Sequence, residues 1–324
     1  MVKAVQVHSV GGPDVMTLED VTLPAPGEGE VRVRNHAIGV NFIDVYFRTG
    51  AYPAPQKPFI PGNEAAGEVI ALGPKVKGIK VGDRVGYTVS LGCYAEERNV
   101  EASRLVRLTK AISYETGAAM MLKGLTAQYL LRRTYKVRKG DTILVQAAAG
   151  GVGLILCQWA KALGATVIGT AGSAEKAKLA KQAGAKEVIL YRETNFVEAV
   201  KTITNGKLCD VVYDGVGKTT FPGSLDCLRP LGMFVSFGSA SGPIDAFNLG
   251  LLTQKGSLFA TRPSLYTYIA RHDDLEKMAK ELIDVIEDGD VKIPIHAKYP
   301  LAQVADVHRM LEARETTGAT ILLP

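Results

Sequence analysis

Residues 140–153, GDTILVQAAAGGVG, carry a short apolar run straight into a turn of small residues, and a helical pattern follows at once. Strand, small-residue turn and helix in that order present backbone N–H groups to a phosphate. The turn has the form G-x-G-x-x-G with alanine in the first slot, filled here by Ala148, Gly150 and Gly153. Gly150 lets a pyrophosphate approach the backbone, and Gly153 lets the helix pack closely on its strand. The glycines alone are a weak signal. The strand before them and the helix after them give it weight.

From about residue 125 the chain alternates strand-like and helix-like stretches. Strands are expected at Thr142–Ala147, Thr166–Thr170, Glu187–Leu190, Asp210–Asp214, Met233–Phe237 and Ser257–Thr261. Helices are expected at Val152–Leu163, Ala174–Gln182, near Phe196–Ile203 and around Gly217–Leu228. Strands separated by helical patterns imply a parallel, doubly wound sheet, and six of them complete a dinucleotide fold. Before residue 125 the chain reads as β-rich, with Glu30–His36, Ala65–Leu72 and Arg84–Val89 divided by Gly, Pro and Asp turns. The tail predicts an amphipathic helix through Leu275, Met278, Leu282, Val285 and Ile286, a second over Ala302–Ala313, and a closing strand at Ala319–Leu322. The expected fold is therefore α/β, a Rossmann sheet inserted in a β-rich domain. Its expected boundaries are 1–124, 125–263, and a return to the first domain over 264–324.

A chain of 324 residues is long for one core and comfortable for two. Its net charge of +5 comes from scattered basic residues with no long run, so no nucleic-acid partner is expected. No apolar stretch is long enough for a membrane span, and the N-terminal segment lacks a signal-peptide core, so a cytoplasmic protein is expected. Cys93, Cys157, Cys209 and Cys227 form no C-x-x-C pair, and the five histidines show no ligand spacing.

The end of the second strand bears on which dinucleotide binds. An acidic residue there would accept from a ribose 2′-hydroxyl. Val167–Ser173 contains no Asp or Glu, and Gly172, Ser173 and Lys176 follow instead. A small residue leaves room for a 2′-phosphate, Ser173 can donate to it, and Lys176 supplies positive charge. Tyr191 and Arg192 lie just past the third strand and can pack on adenine or add to that charge. NADPH is expected over NADH. Ser173 as a plain helix cap, with Lys176 on a solvated face, is compatible with the same reading.

Several segments together carry a resemblance. GVNFIDVYFRTG, PGNEAAGEV, KVGDRV, LKGLTAQYLL, AAAGGVG and SFGSASG resemble medium-chain dehydrogenase/reductase proteins. Within that superfamily they are most similar to the NADPH-dependent quinone oxidoreductases, its zeta-crystallin-like, zinc-free branch. The resemblance runs from the first strand to the last. It implies a GroES-like catalytic domain around the Rossmann domain.

Zinc-dependent relatives carry an early cysteine and a G-H-E motif as catalytic metal ligands. The matching segments here read Gly39-Val40-Asn41 and Gly62-Asn63-Glu64. Two amides are poor zinc ligands, and Cys93 stands alone where relatives have a four-cysteine lobe, so no metal is expected. Without a Lewis acid, the acceptor must already be electrophilic, and quinones and conjugated enones qualify. Hydrogen-bond donors would stabilise the developing oxyanion.

The candidate donors are Asn41, Tyr46, Tyr52 and Tyr129. By motif match, the segment Asn41, Phe42, Ile43 and Asp44 lies against the nicotinamide end, Asp44 orienting its neighbours. The same match places Gly150, Gly151 and Val152 at the pyrophosphate and Gly238, Ser239, Ala240 and Ser241 near the nicotinamide ribose. Pro263, Ser264 and Leu265 lie beside them, with Arg314 near the C-terminus. Gly215 departs from relatives that often have serine.

The expected activity is NADPH-dependent quinone reduction. An enoyl or alkenal reductase would use the same hydride chemistry on an activated C=C bond. Some relatives are crystallins or bind RNA, but the intact fingerprint argues for retained NADPH binding, and no basic stripe is interleaved with aromatics. The resemblance also implies a homodimer that continues the nucleotide-domain sheet, for which the apolar stretch Ile244–Phe259 would suit.

Overall fold

The structure is a computed structural model that describes all of residues 1–324. The elements, in chain order, begin with strands β1 (Val2–Val7), β2 (Met16–Val21) and β3 (Glu30–Gly39), then helix α1 (Phe42–Thr49). Strands β4 (Glu64–Leu72), β5 (Arg84–Thr88), β6 (Glu97–Glu101) and β7 (Leu105–Arg107) precede helix α2 (Tyr114–Tyr129). The alternating region is β8 (Thr142–Val145), α3 (Gly151–Ala162), β9 (Thr166–Ala171), α4 (Ala174–Gln182), β10 (Glu187–Leu190), α5 (Phe196–Ile203), β11 (Cys209–Asp214), α6 (Gly223–Asp226) and β12 (Leu228–Ser236). It is followed by α7 (Gly250–Gln254), β13 (Phe259–Thr261), α8 (Leu265–Tyr268), α9 (His272–Glu287), β14 (Ile295–Pro300), α10 (Val304–Glu312) and β15 (Ala319–Leu323). No helix is long and apolar enough to cross a membrane.

The chain divides into two units. Unit 1 holds Met1–Lys123, Arg271–Ala279 and Ile293–Pro324, and unit 2 holds Gly124–Ala270 and Lys280–Lys292. Within unit 1, a seven-stranded sheet runs β14-β15-β3-β4-β5-β7, with β6 paired to β3, and β1 pairs with β2 separately. Long β3 carries much of this sheet, pairing antiparallel with β4 from Val31↔Leu72 to Gly39↔Glu64. That register brings the start of β4 beside the end of β3, where the residues leading into α1 follow. Val31, Val33, Ile38, Val69, Val85 and Tyr87 fill the core beneath.

Unit 2 carries a six-stranded sheet in the order β10-β9-β8-β11-β12-β13, every pair parallel. This is the doubly wound order in which β8 and β11 flank the reversal of strand sequence, where such sheets bind nucleotides. Helix α3 buries Leu154, Ile155, Leu156 and Trp159, each side chain contributing about 1.5–3 kcal/mol.

Two differences from the sequence expectation have physical causes. The helix expected around Gly217–Leu228 is only the single turn α6. Asp214 Oδ1 draws the N–H groups of Val216 and Gly217 into a turn at 2.8 and 3.0 Å, and Gly217 takes a left-handed φ of 89°. In the tail, Lys280–Lys292 groups with unit 2, not with the first domain as expected. Glu281 accepts from Gln128 and Arg132 at 2.7 and 2.6 Å, and Gln158 bonds the backbone of Lys292 in both directions.

Candidate active site

The phosphate turn of unit 2 is held by a buried polar chain. Ala147, just past β8, adopts a left-handed φ of 54°, strain that a non-glycine residue keeps only when its surroundings enforce it. Thr170 Oγ1 accepts from the Ala147 N–H at 3.1 Å and donates to Gln146 Oε1 at 2.7 Å. Gln146 in turn donates to Ser224 Oγ at 3.1 Å, and Ser224 donates to Asp214 Oδ2 at 2.7 Å. One carboxylate thus ties the turn after β8 to the turn after β11. A Cβ on Gly153 would lie 2.5 Å from the Ala147 carbonyl oxygen, which is why that slot is glycine. Gly150 caps α3 with extended backbone. The first-turn N–H groups of Gly151 and Val152 then have no intrahelical acceptor and suit an anion.

The end of β9 brings together the residues expected to read the 2′ position. A Cβ on Gly172 would lie 2.7 Å from the Tyr191 hydroxyl and 3.6 Å from Arg192 Nε, so both side chains close over this glycine. Ser173 caps α4, accepting from the Lys176 N–H at 3.4 Å. The sequence reading overlooked Glu175. Its exposed carboxylate has a pKa lowered by its own backbone N–H and by the Ser173 hydroxyl, so an acid lies against the helix end that a 2′-phosphate would need.

The loops after β11 and β12 meet backbone to backbone. A Cβ on Gly238 would lie 2.5 Å from the Gly215 carbonyl oxygen, and one on Gly215 would lie 2.9 Å from the Phe237 ring. The missing serine hydroxyl at Gly215 therefore has a steric reason. Arg262 joins Gly238–Ser241 to Pro263, Ser264 and Leu265, donating to Ser236 Oγ, the Gly238 carbonyl and Ser239 Oγ at 2.9, 2.7 and 3.0 Å. Tyr129 is buried, stacked on Tyr268 with ring centroids 4.6 Å apart, and desolvation raises its pKa. Directly after it, residues 130–134 form a π-helical turn, a rare geometry frequent at functional sites.

In unit 1, Asn41 caps α1 and Asp44 answers it, its Oδ2 accepting from the Asn41 N–H at 2.8 Å. Asp44 has no exposed surface. Burial pushes its pKa up to about 7 against the hydrogen bonds from Tyr94 and Asn41. Phe42, Tyr46 and Tyr52 form an aromatic series, with centroids 5.9 and 5.1 Å apart in succession, and Ile43 is half-buried beside them. Arg314 follows α10 in unit 1, exposed, with a left-handed φ of 60°.

The decisive contacts surround Glu64. Its fully buried carboxylate accepts from Asn41 Nδ2 at 2.8 Å, Lys123 Nζ at 2.6 Å and the Leu122 N–H at 2.6 Å. Lys123 was not among the residues singled out from the sequence. The available signal was one charged residue inside the apolar helical run AAMMLKGLTAQYLL.

Comparison with known proteins agrees with this geometry. Residues 27–141 match the alcohol dehydrogenase GroES-like domain family, and residues 151–284 match the zinc-binding dehydrogenase family. A quinone oxidoreductase of Pseudomonas aeruginosa is 54% identical over the full length of both chains. A crystal structure of Escherichia coli quinone oxidoreductase complexed with NADPH has a TM-score of 0.97 at 49% identity, covering 99% of this chain and all of that one. The chain belongs to the quinone oxidoreductase family. A 2-haloacrylate reductase of Burkholderia is also related, at 43% identity over 100% of this chain and 99% of that one.

One name among these matches implies zinc, and the residues of this chain do not fit it. Asn63 directs its amide N–H groups to the carbonyls of Val89 and Ser90 at 3.1 and 2.7 Å. Asn41 turns its N–H side toward Glu64, and the Lys123 ammonium already neutralises that carboxylate. No group of three His, Cys, Asp or Glu side chains is placed to hold a metal. A dication here would face an ammonium and two N–H donors.

Proposed function

We propose that this quinone oxidoreductase family member reduces quinones with NADPH by hydride transfer without a metal. The observation that carries the reading is the Lys123–Glu64–Asn41 cluster, in which an ammonium bonds Glu64 on the segments that match the metal-ligand segments of zinc-dependent relatives. NADPH, when bound, supplies the hydride. The residues of unit 2 hold it: Gly150, Gly151 and Val152 at the pyrophosphate, and Gly172, Ser173, Lys176 and Tyr191 at the 2′-phosphate. The Gly238–Ser241 and Pro263–Leu265 loops and Tyr129 serve the nicotinamide half.

In unit 1, Asn41, Tyr46 and Tyr52 donate to the acceptor oxygen. Hydride addition leaves negative charge on that oxygen, and each donor aimed at it lowers the barrier. Phe42 and Ile43 form the apolar wall, and solvent returns the proton. Arg314 lends positive charge to the cofactor.

The test is NADPH consumption against benzoquinones, naphthoquinones and enals. Quinones should show the higher kcat/KM. A preference for enals would favour the alkene-reductase reading that the haloacrylate relative represents.

A homodimer is part of the same proposal. Strand β13 pairs only with β12, and its free edge exposes Phe259, with Leu249 and Phe247 exposed on the preceding segment. Cytoplasmic residence is supported by four buried, unpaired cysteines.

A further inference from the structure

The Asn41 side chain is a planar amide whose two ends offer opposite hydrogen-bonding character. A carboxylate can only accept, so an ionised Glu64 admits the N–H end alone. The observed 2.8 Å contact engages one Asn41 N–H and fixes the orientation of the second, together with Oδ1. That orientation depends on the fully buried Glu64 carboxylate being held in place. A buried carboxylate without a partner carries a large desolvation cost. Here the partner is Lys123, 2.6 Å away with its own side chain only 7% exposed. Space for the cluster is reserved by Gly39, where a Cβ would lie 2.4 Å from Glu64 Oε1 and 2.5 Å from the Ala118 carbonyl oxygen.

We propose that Lys123 is a positioning residue for quinone reduction: through Glu64 it sets which end of the Asn41 amide faces the acceptor oxygen. The inference rests on the reading that Asn41 donates to that oxygen. With the ammonium present, the second Asn41 N–H is held as a donor. With it removed, Glu64 loses the cation that holds its carboxylate against the Asn41 N–H. The amide then loses the contact that aims its N–H end, and the second N–H is no longer held as a donor toward the acceptor oxygen.

The test is a double-mutant cycle read beside a spectroscopic signal. Lys123→Met should lower kcat for a benzoquinone by ~100-fold, the scale of losing one oxyanion donor. Lys123→Arg should keep most of it. NADPH affinity should stay within the wild-type range in both, because the proposed cofactor residues of Gly150–Lys176 are untouched. In an Asn41→Ala background, Lys123→Met should cost nothing further, since it acts through that amide. The Asn41 side-chain amide resonance, assigned by its loss in Asn41→Ala, should move in Lys123→Met and stay in place in Lys123→Arg. Additive losses, or an unmoved resonance, overturn the proposal. Lys123→Gln replaces Lys123→Met if the latter does not fold. Should the wild type reduce no quinone, the functional reading fails by itself, and the amide resonance still decides the role of Lys123.

Discussion

The Tyr94 hydroxyl donates to Asp44 Oδ2 at 2.7 Å and lies 3.0 Å from His308 Nε2, so the imidazole must donate to the phenol oxygen. His308 Nδ1 is then the acceptor facing Arg48, 3.4 Å away, and the ring is neutral with its proton on Nε2. Arg48, itself buried, forks onto Glu312 at 2.9 and 2.7 Å. A chain of polar groups therefore leads from the cap of α1 to the surface of α10, wholly within unit 1.

Two groups in this chain titrate in opposite senses. Desolvation raises Asp44 from 3.8 to about 7, so its stabilising contribution is full below about 4 and is lost as pH rises through 7. Desolvation, then Arg48, lowers His308 from 6.5 to about 3, so its contribution is present above 6.5 and is lost as pH falls toward 3. Between pH 4 and 6.5 the two slopes oppose each other. Urea unfolding of Asp44→Asn should show stability climbing with pH more steeply than wild type. His308→Gln should show it falling.

Lys176→Ala should raise KM for NADPH severalfold and leave KM for NADH nearly unchanged. Glu175→Gln should act in the opposite direction, lowering KM for NADPH, because the carboxylate against Ser173 repels a 2′-phosphate. Equal effects of either change on the two cofactors would remove the phosphate-reading role from this helix end.

Thr170→Val deletes the hydroxyl that both supports Ala147 and bonds Gln146. Stability should fall by ~1–3 kcal/mol, the cost of stranding buried polar groups. Calorimetric titration should show NADPH and NADH weakened together, in contrast to Lys176→Ala.

Exhaustive chelation should leave quinone reduction intact. Loss of activity that added zinc restores would contradict the charge balance found at Glu64.

The parallel sheet was legible because its central strands β8, β9 and β11 are largely buried and stand out as apolar runs between helices. Ser173 announces a helix start by residue type alone. The single turn α6 was not legible, because it depends on where the Asp214 carboxylate points. The glycine turns were legible because close backbone approach demands glycine there, as at Gly153. Lys123 was not legible, because its partner Glu64 sits 59 positions earlier. His308 was equally silent, as its contacts to Tyr94 and Arg48 span 214 and 260 residues.

The ammonium beside Glu64 also sets an order of events for anyone rebuilding this centre. Restoring cysteine at Asn41 and histidine at Asn63 would supply ligands yet leave a fixed cation pressed against the place meant for the metal. Lys123 has to be neutralised first, and that step alone removes the counter-charge of a buried carboxylate. A step from this centre toward a metal-bearing one therefore begins by unbalancing a buried charge pair.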